Sequence, residues 1–313
     1  MRLGIYGCGN LGLSLERAAI ADSTEVAAMF TRRNTTNVKT ISAPVYNSTD
    51  VERHADKIDV LAVCGGSAHD LPTMTPTLAR TFSVIDSYDN HGEIAAHVGR
   101  VDEEARRSGH TAIVGCGWDP GMFSLARLYF SAFFQRGSVT TYWGRGVSQG
   151  HSEAVRRIEG VLDARQYTIP REDVLEEVRR GIRRASPTEL HRREVYVVAA
   201  DGADRARIGR EIRSLNGYFK GYETSVTFIS AEEMARDHGS LPHGGGVIAA
   251  GGEDGRRSRA ELTLSLESNP DFTAGVLLAY AKAAYRLNRR GEYGARTVFD
   301  IAARDLLDTP LLL

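Results

Sequence analysis

Three short segments concentrate side chains able to bind and deprotonate a small polar molecule. They are Asp86-Ser87-Tyr88-Asp89-Asn90-His91, Gly117-Trp118-Asp119-Pro120-Gly121-Met122-Phe123, and Trp143-Gly144-Arg145-Gly146-Val147-Ser148-Gln149-Gly150-His151-Ser152. Each sets polar and aromatic residues beside glycine, the mixture expected of loops that carry function. Asp89 and Asp119 are the pair of interest. Two carboxylates can hold a substrate ammonium and take up its proton, and hydride leaves an amine-bearing carbon only when nitrogen has a free lone pair. Each acid also has a plainer reading, Asp119 as the cap of a helix beginning near Pro120 and Asp89 as a turn residue.

Hydride chemistry requires a carrier, and the start of the chain offers a place for one. Gly7-Cys8-Gly9-Asn10-Leu11-Gly12 lies between an apolar strand, Arg2 to Tyr6, and a helix over Leu11 to Ala21. There Gly7 allows a tight turn, Gly9 lets backbone approach a pyrophosphate, and Gly12 packs helix on strand. The phosphates meet the positive end of the helix. A second strand, Glu25 to Phe30, runs directly into Thr31-Arg32-Arg33, where NAD-binding folds usually carry an acid. Two guanidiniums and a hydroxyl read as a donor-only pocket for a 2′-phosphate, which makes the expected cofactor NADP. Arg32 and Arg33 as a mere solvated turn is the plainer alternative.

These loops need a scaffold. Strand patterns at Asp59 to Cys64, Phe82 to Asp86 and Thr111 to Gly115, separated by helical segments such as Glu93 to Ser108, give the βαβ rhythm of a doubly wound parallel sheet. Ligands bind beyond the carboxyl ends of such strands. Cofactor contacts are therefore expected at Cys64-Gly65-Gly66-Ser67, at Ser87-Tyr88-Asp89, and at Cys116-Gly117-Trp118-Asp119-Pro120. After Gly121 the pattern changes. Strands at Val139 to Trp143, Arg165 to Ile169, Arg193 to Ala200, Thr224 to Ile229 and Ala260 to Leu266 alternate with helices at Glu172 to Arg184 and Asp204 to Ser214, which suggests an α+β domain with an open mixed sheet. Gly244 to Gly246 and Gly251-Gly252 read as glycine-rich loops. Final helices over Phe272 to Arg289 and Ala295 to Leu307 are expected to return to the first domain. The expected division is a Rossmann-type domain over 1–118 completed by 270–313, and a substrate-binding and dimerisation domain over 119–269.

Composition narrows the function classes. A chain of 313 residues with a formal net charge of −1 can bury two cores and favours no charged partner. Basic residues are dispersed rather than interleaved with aromatics, so no nucleic acid is expected, and Arg179 to Arg184 reads as a solvated helix face. No apolar run reaches the length of a membrane span and the first residues already belong to the fold, so a cytoplasmic protein is expected. Three widely spaced cysteines, Cys8, Cys64 and Cys116, suit a reducing compartment, lack metal-ligand spacing and read as small packing residues.

The chain resembles the meso-diaminopimelate D-dehydrogenases of bacteria over nearly its whole length. The resemblance is carried by GCGNLG, FTRR, DVLAVCGGS, DSYDNH, GWDPGMFSL, YWGRGVSQGHS with AVRRI after it, QYTIP, LPHGGGVI and SNPDFTAG. It implies reversible, NADP-dependent oxidative deamination of the D-centre of meso-2,6-diaminopimelate to L-2-amino-6-oxoheptanedioate, with lysine and peptidoglycan precursor synthesis in the reverse direction, and a homodimer. It implies that Asp89 and Asp119 surround the reacting amino group, with Trp118 and Trp143 shaping that half of the pocket and Gln149 and Gly150 lining it. Thr168, Arg193, His243 and Asn269 are implied to hold the L-centre. Taken singly, His243 reads equally as a loop histidine, Asn269 as a turn residue before Pro270, and Arg192 competes with Arg193. The chain departs mildly from the family pattern at Cys8, Thr31 and Gly246. Competing readings are another NADP-dependent oxidoreductase on the same plan, such as a dihydrodipicolinate reductase, although its paired His and Lys segment is absent, and a silent NADP sensor.

Overall fold

The computed structural model describes residues 1–67, 69–134, 137–253 and 256–308, and the chain divides into two compact units. The first is Met1–Leu125 with Pro270–Leu313, and the second is Ala126–Asn269.

The first unit begins with β1 (Arg2–Tyr6), α1 (Asn10–Ala21), β2 (Glu25–Thr31), β3 (Val45–Asn47), β4 (Val60–Val63), α2 (Leu71–Leu78), β5 (Val84–Asp86), α3 (Ile94–Ser108) and β6 (Thr111–Ile113). α4 (Met122–Phe133) carries the chain across the boundary. With β14 (Gly294–Arg296) from near the end of the chain, seven parallel strands stand in the order β14-β6-β5-β4-β1-β2-β3, so the chain reverses direction across the sheet between β1 and β4. β4 shows why such a sheet must be covered on both sides. Val60 and Ala62 enter a core with Leu3, Ile5, Leu15 and, from α10 (Asn269–Arg289), Leu277 and Ala281, whereas Leu61 and Val63 enter another with Phe30, Leu71 and Val101.

The second unit holds β7 (Gly137–Trp143), β8 (Gly146–Val147), α5 (Gln149–Arg156), β9 (Val161–Pro170), α6 (Glu172–Arg179), α7 (Pro187–Leu190), β10 (His191–Ala199), α8 (Arg205–Ser214), β11 (Glu223–Phe228), α9 (Ala231–Asp237), β12 (His243–Glu253) and β13 (Arg256–Leu266). A four-stranded mixed sheet runs β11-β10-β9-β8 and a three-stranded antiparallel sheet runs β13-β12-β7. Along β10 the residues alternate in burial, with Arg193, Val195 and Val197 inward and Arg192 out. The chain ends with α10 (Asn269–Arg289) and β14 (Gly294–Arg296).

Three sequence expectations are corrected. Ala295 to Leu307 is not a helix: Gly294 takes a left-handed φ of 98°, and β14 then pairs with β6 as the seventh strand, followed by short 3₁₀ turns. Residues 309–313 of the expected 270–313 segment lie outside the described residues. Gly244 to Gly246 and Gly251-Gly252 belong to β12, the central strand of its sheet. Added Cβ atoms at Gly244 and Gly245 would stand 2.4 Å from the Leu264 carbonyl oxygen and 2.2 Å from that of Tyr142, so these glycines serve close strand packing. The segment from Trp143 to Ser152 is not one loop, because β8 and the start of α5 divide it.

Candidate active site

In the first unit the glycine turn lies at the carboxyl end of β1. Gly7 has φ +114° and a Cβ there would stand 2.5 Å from the Cys64 carbonyl oxygen; a Cβ on Gly12 would stand 1.9 Å from that of Gly7. Gly9 differs, since its Cβ would meet nothing within 4 Å. Open space over Gly9, the N-cap of α1, with no side-chain hydrogen bond at the cap, is a cradle in which Asn10 and Leu11 begin the helix. A pyrophosphate fits it: backbone N–H groups and the helix dipole point at the place of closest approach.

Thr31, Arg32 and Arg33 line the adjoining cavity of about 240 Å³ together with the glycine turn, Cys64, Gly65 and Gly66. This cavity is not donor-only, which corrects the sequence reading. Asp70, just before α2, accepts from the Gly66 N–H at 3.0 Å and from Arg32 at 3.0 Å. Those bonds, the backbone one foremost, hold its carboxyl below the usual range. Arg32 nonetheless remains 63% exposed, and Arg33 donates to the Cys8 carbonyl. One carboxylate against two guanidiniums leaves the cavity positive, so a 2′-phosphate still fits. Burial raises all three thiols, Cys64 to about 12, which keeps them protonated and inert.

Asp89 and Asp119 follow the neighbouring strands β5 and β6. A carboxylate that the sequence reading left unassigned, the fully buried Asp86, fixes both loops. It accepts from Tyr88 N–H at 3.1 Å, Gly115 N–H at 3.0 Å, the Thr75 hydroxyl at 2.7 Å and His97 Nε2 at 2.7 Å. Tyr88 stacks on His97 with ring centroids 4.2 Å apart. Ser67 adds a brace, accepting from the Asp89 N–H at 3.0 Å and donating to the Ser87 carbonyl at 3.4 Å. Asp119 keeps a side chain only 2% exposed, 3.9 Å from His91 Nε2. Gly117 contacts the turn through Pro120, and Cys116 donates its N–H to the Asp86 carbonyl at 2.8 Å. Trp118 is buried edge-on against Phe123, centroids 5.2 Å apart.

In the second unit the other residues lie at the end of β7, the start of α5, on β9 and β10, and at the starts of β12 and α10. Arg193 and Thr168 are a cross-strand pair, and the guanidinium donates to the threonine hydroxyl. Arg193 is 8% exposed, lies 4.2 Å from the Tyr222 ring centroid and has no carboxylate partner among the described residues. Burial lowers its pKa. Its Nε and the Oε1 of the fully buried Gln166 have no hydrogen-bond partner, although Gln166 Nε2 donates to Thr168 at 3.4 Å. A buried cation without an acid beside it among the described residues, and orphaned polar atoms nearby, suit the binding of an anion. Arg192, by contrast, is exposed and pairs with Glu194 at 3.1 Å.

Trp143, at the end of β7, donates its backbone N–H to His191 Nε2 at 2.9 Å, while His191 Nδ1 lies 2.8 Å from the Pro187 carbonyl. His191 is therefore neutral with its proton on Nδ1, and burial brings it to about 4. Nothing in the sequence pattern marked this histidine as the support of Trp143. Gln149 and Gly150 open α5, where a Cβ on Gly150 would meet nothing within 4 Å. His243 opens β12, its Nδ1 2.8 Å from the Gly244 nitrogen and 3.2 Å from the Gly244 carbonyl oxygen. Asn269 donates its N–H to Leu241 at 3.1 Å, next to the segment leading into His243. Among the described residues no group of three or more His, Cys, Asp or Glu is placed to hold a metal ion.

A family model described as the diaminopimelic acid dehydrogenase C-terminal domain matches residues 117–268. The chain is 46% identical over 308 residues to the meso-diaminopimelate D-dehydrogenase of Acetivibrio thermocellus, with 96% of this chain and 92% of that one covered. To the Corynebacterium glutamicum protein of the same name it is 43% identical over 304 residues, covering 96% and 94%. Among solved structures it matches the C. glutamicum DAP dehydrogenase in complex with DAP with TM-score 0.93 at 42% identity, covering 99% and 96%. An engineered D-amino acid dehydrogenase bound to NADP+ matches with TM-score 0.89 at 41% identity, covering 99% and 97%.

Proposed function

The chain belongs to the meso-diaminopimelate D-dehydrogenase family, and from that premise we propose that it converts the D-centre of meso-2,6-diaminopimelate and NADP to L-2-amino-6-oxoheptanedioate, ammonia and NADPH, reversibly. The reverse direction supplies a lysine and peptidoglycan precursor. NADP, bound along the glycine turn with its 2′-phosphate at Thr31, Arg32 and Arg33, supplies the hydride acceptor.

The protein's own residues do the rest. Asp89 and Asp119 hold the D-centre ammonium and take up a proton, so that the nitrogen lone pair assists hydride departure. The carbon–nitrogen bond becomes an imine; water adds to it and ammonia leaves, giving the oxo group. Trp118 and Trp143 wall the reacting end, and Gln149 and Gly150 line it. Arg193 grips the distal carboxylate, Thr168 donates its hydroxyl hydrogen because its oxygen already accepts, His243 adds a donor, and Asn269 offers its carbonyl to the distal ammonium. Two ends held differently let the site tell one centre of a nearly symmetric molecule from the other.

The observation that carries this reading is Arg193, a buried guanidinium with no acid beside it among the described residues. It suits a carboxylate-bearing substrate and has no purpose in a protein that only senses NADP. We also assign the protein to the cytoplasm as a homodimer; no helix among the described residues is long and apolar enough to cross a membrane. Mixing enzyme, NADP and meso-diaminopimelate should release ammonia and NADPH in equal amounts. Ammonia without NADPH, or neither product, would overturn the reading.

A further inference from the structure

The arginine run that the sequence assigned to a solvated helix face lines a cavity. Arg179 closes α6, and with Arg180, Arg183 and Arg184 it shares a space of about 630 Å³ with Arg257 and Arg259 of β13. None of the residues assigned to catalysis, substrate or cofactor lines it. No aspartate or glutamate is among its described walls either.

Two of the six guanidiniums are neutralised from outside the cavity. Arg179 pairs with Glu261 at 3.0 Å and Glu172 at 3.1 Å, and Arg183 with Glu189 at 2.9 Å and Glu177 at 3.5 Å. Arg180, Arg184, Arg257 and Arg259 have no acidic partner among the described residues. Arg257 donates instead to the Arg180 carbonyl at 3.2 Å, which ties β13 to the loop after α6. Four positive charges in one concavity, without an acidic partner among the described residues, raise its potential and favour a ligand with several negative charges. Diaminopimelate, with two ammoniums and two carboxylates, has no net charge to offer. Linked phosphates do, and planar guanidinium forks match phosphate oxygens two at a time. The volume is that of a small-molecule site, within roughly 300–1,000 Å³.

We propose that this cavity is a second ligand site in the substrate unit, and that it takes a small molecule carrying two or more linked phosphates. The test is calorimetric titration of the full-length protein, saturated with NADP so that its dinucleotide site is filled. The titrants are pyrophosphate, tripolyphosphate, ATP and sulfate at one ionic strength. One tripolyphosphate should bind per chain, more tightly than pyrophosphate and far more tightly than sulfate. ATP binding like tripolyphosphate would mean that the phosphate chain alone is read, and tighter ATP binding that a nucleoside is read as well. Replacing the exposed Arg184 and Arg259 together with Gln (R184Q/R259Q) should weaken binding at least tenfold, while kcat and KM for meso-diaminopimelate without phosphates stay unchanged. The proposal is overturned if tripolyphosphate does not bind, if sulfate competes equally, or if R184Q/R259Q binds as before. It is also overturned if that variant changes the sedimenting mass, since a second copy of the chain would then be what covers the cavity.

Discussion

Single side chains decide which molecule is held and which atom reacts. Arg193 and Arg192 were hard to tell apart in the sequence because they are adjacent at the start of one strand, and only the phase of β10 separates them: Arg193 shares the inward face with Val195, while Arg192 salt-bridges Glu194 in solvent. Replacing Arg193 with Ala should raise KM for diaminopimelate by about a hundredfold or more, from the loss of a charge-assisted bidentate contact. NADP affinity should not move, and Arg192→Ala should be near neutral in steady-state kinetics. Lost NADP binding with normal substrate affinity would contradict the assignment. Asp119→Asn keeps shape but cannot take a proton, so kcat should fall by about 10² or more while the dissociation constant for NADP holds, as read by fluorescence titration. The Arg32–Asp70 pair illustrates a second kind of illegibility: 38 residues separate the partners, and no local pattern announces that an acid returns to the arginine pocket.

Elements hold these side chains at fixed phase, and the elements that escaped the sequence reading share a cause. β12 opens with His243 and three glycines, which contribute no apolar side chains and so no alternating pattern, yet its backbone lies between β7 and β13 too closely for a Cβ. Gly245→Ala should therefore lower the melting temperature by several degrees, consistent with a cost of about 1–3 kcal/mol for overpacking. Asp86 was visible only as part of a polar loop, because its four partners come from α2, α3 and two strand ends. The histidines of the second unit give a pH signature. Burial, the leading cause, and the nearby Arg193 bring His191 and His151 to about 4 from 6.5. Both are neutral in the folded protein, whereas the unfolded chain takes up protons as pH drops below 6.5. Stability is thus complete above pH 6.5 and is lost as pH falls toward 4, each histidine contributing a slope of up to about 1.4 kcal/mol per pH unit. Denaturant midpoints across that range should show the loss, and His191→Gln should flatten it; an unchanged slope would contradict the buried neutral state.

At the scale of the whole molecule, the parallel sheet was the most legible feature. Continuous apolar runs such as Val60 to Val63 can be satisfied only between two helical layers, and the chain supplies them, including α10 from the far end of the sequence. The last strand of that sheet was not legible, since β14 is three residues long and pairs with β6 across 180 intervening residues. The chain belongs to the meso-diaminopimelate D-dehydrogenase family, so its selectivity between stereocentres is the property to measure. The decisive measurement is the rate of NADPH formation, followed by nicotinamide absorbance, with NADP and each of meso-, LL- and DD-diaminopimelate. The account expects rapid NADPH formation with the meso isomer, none with LL, which lacks a D-centre, and a rate at least about tenfold lower with DD, whose far end has the wrong configuration for the Arg193 and Thr168 side. Reduction of NADP by the LL isomer as fast as by meso, or by none of the three despite tight NADP binding, would contradict it.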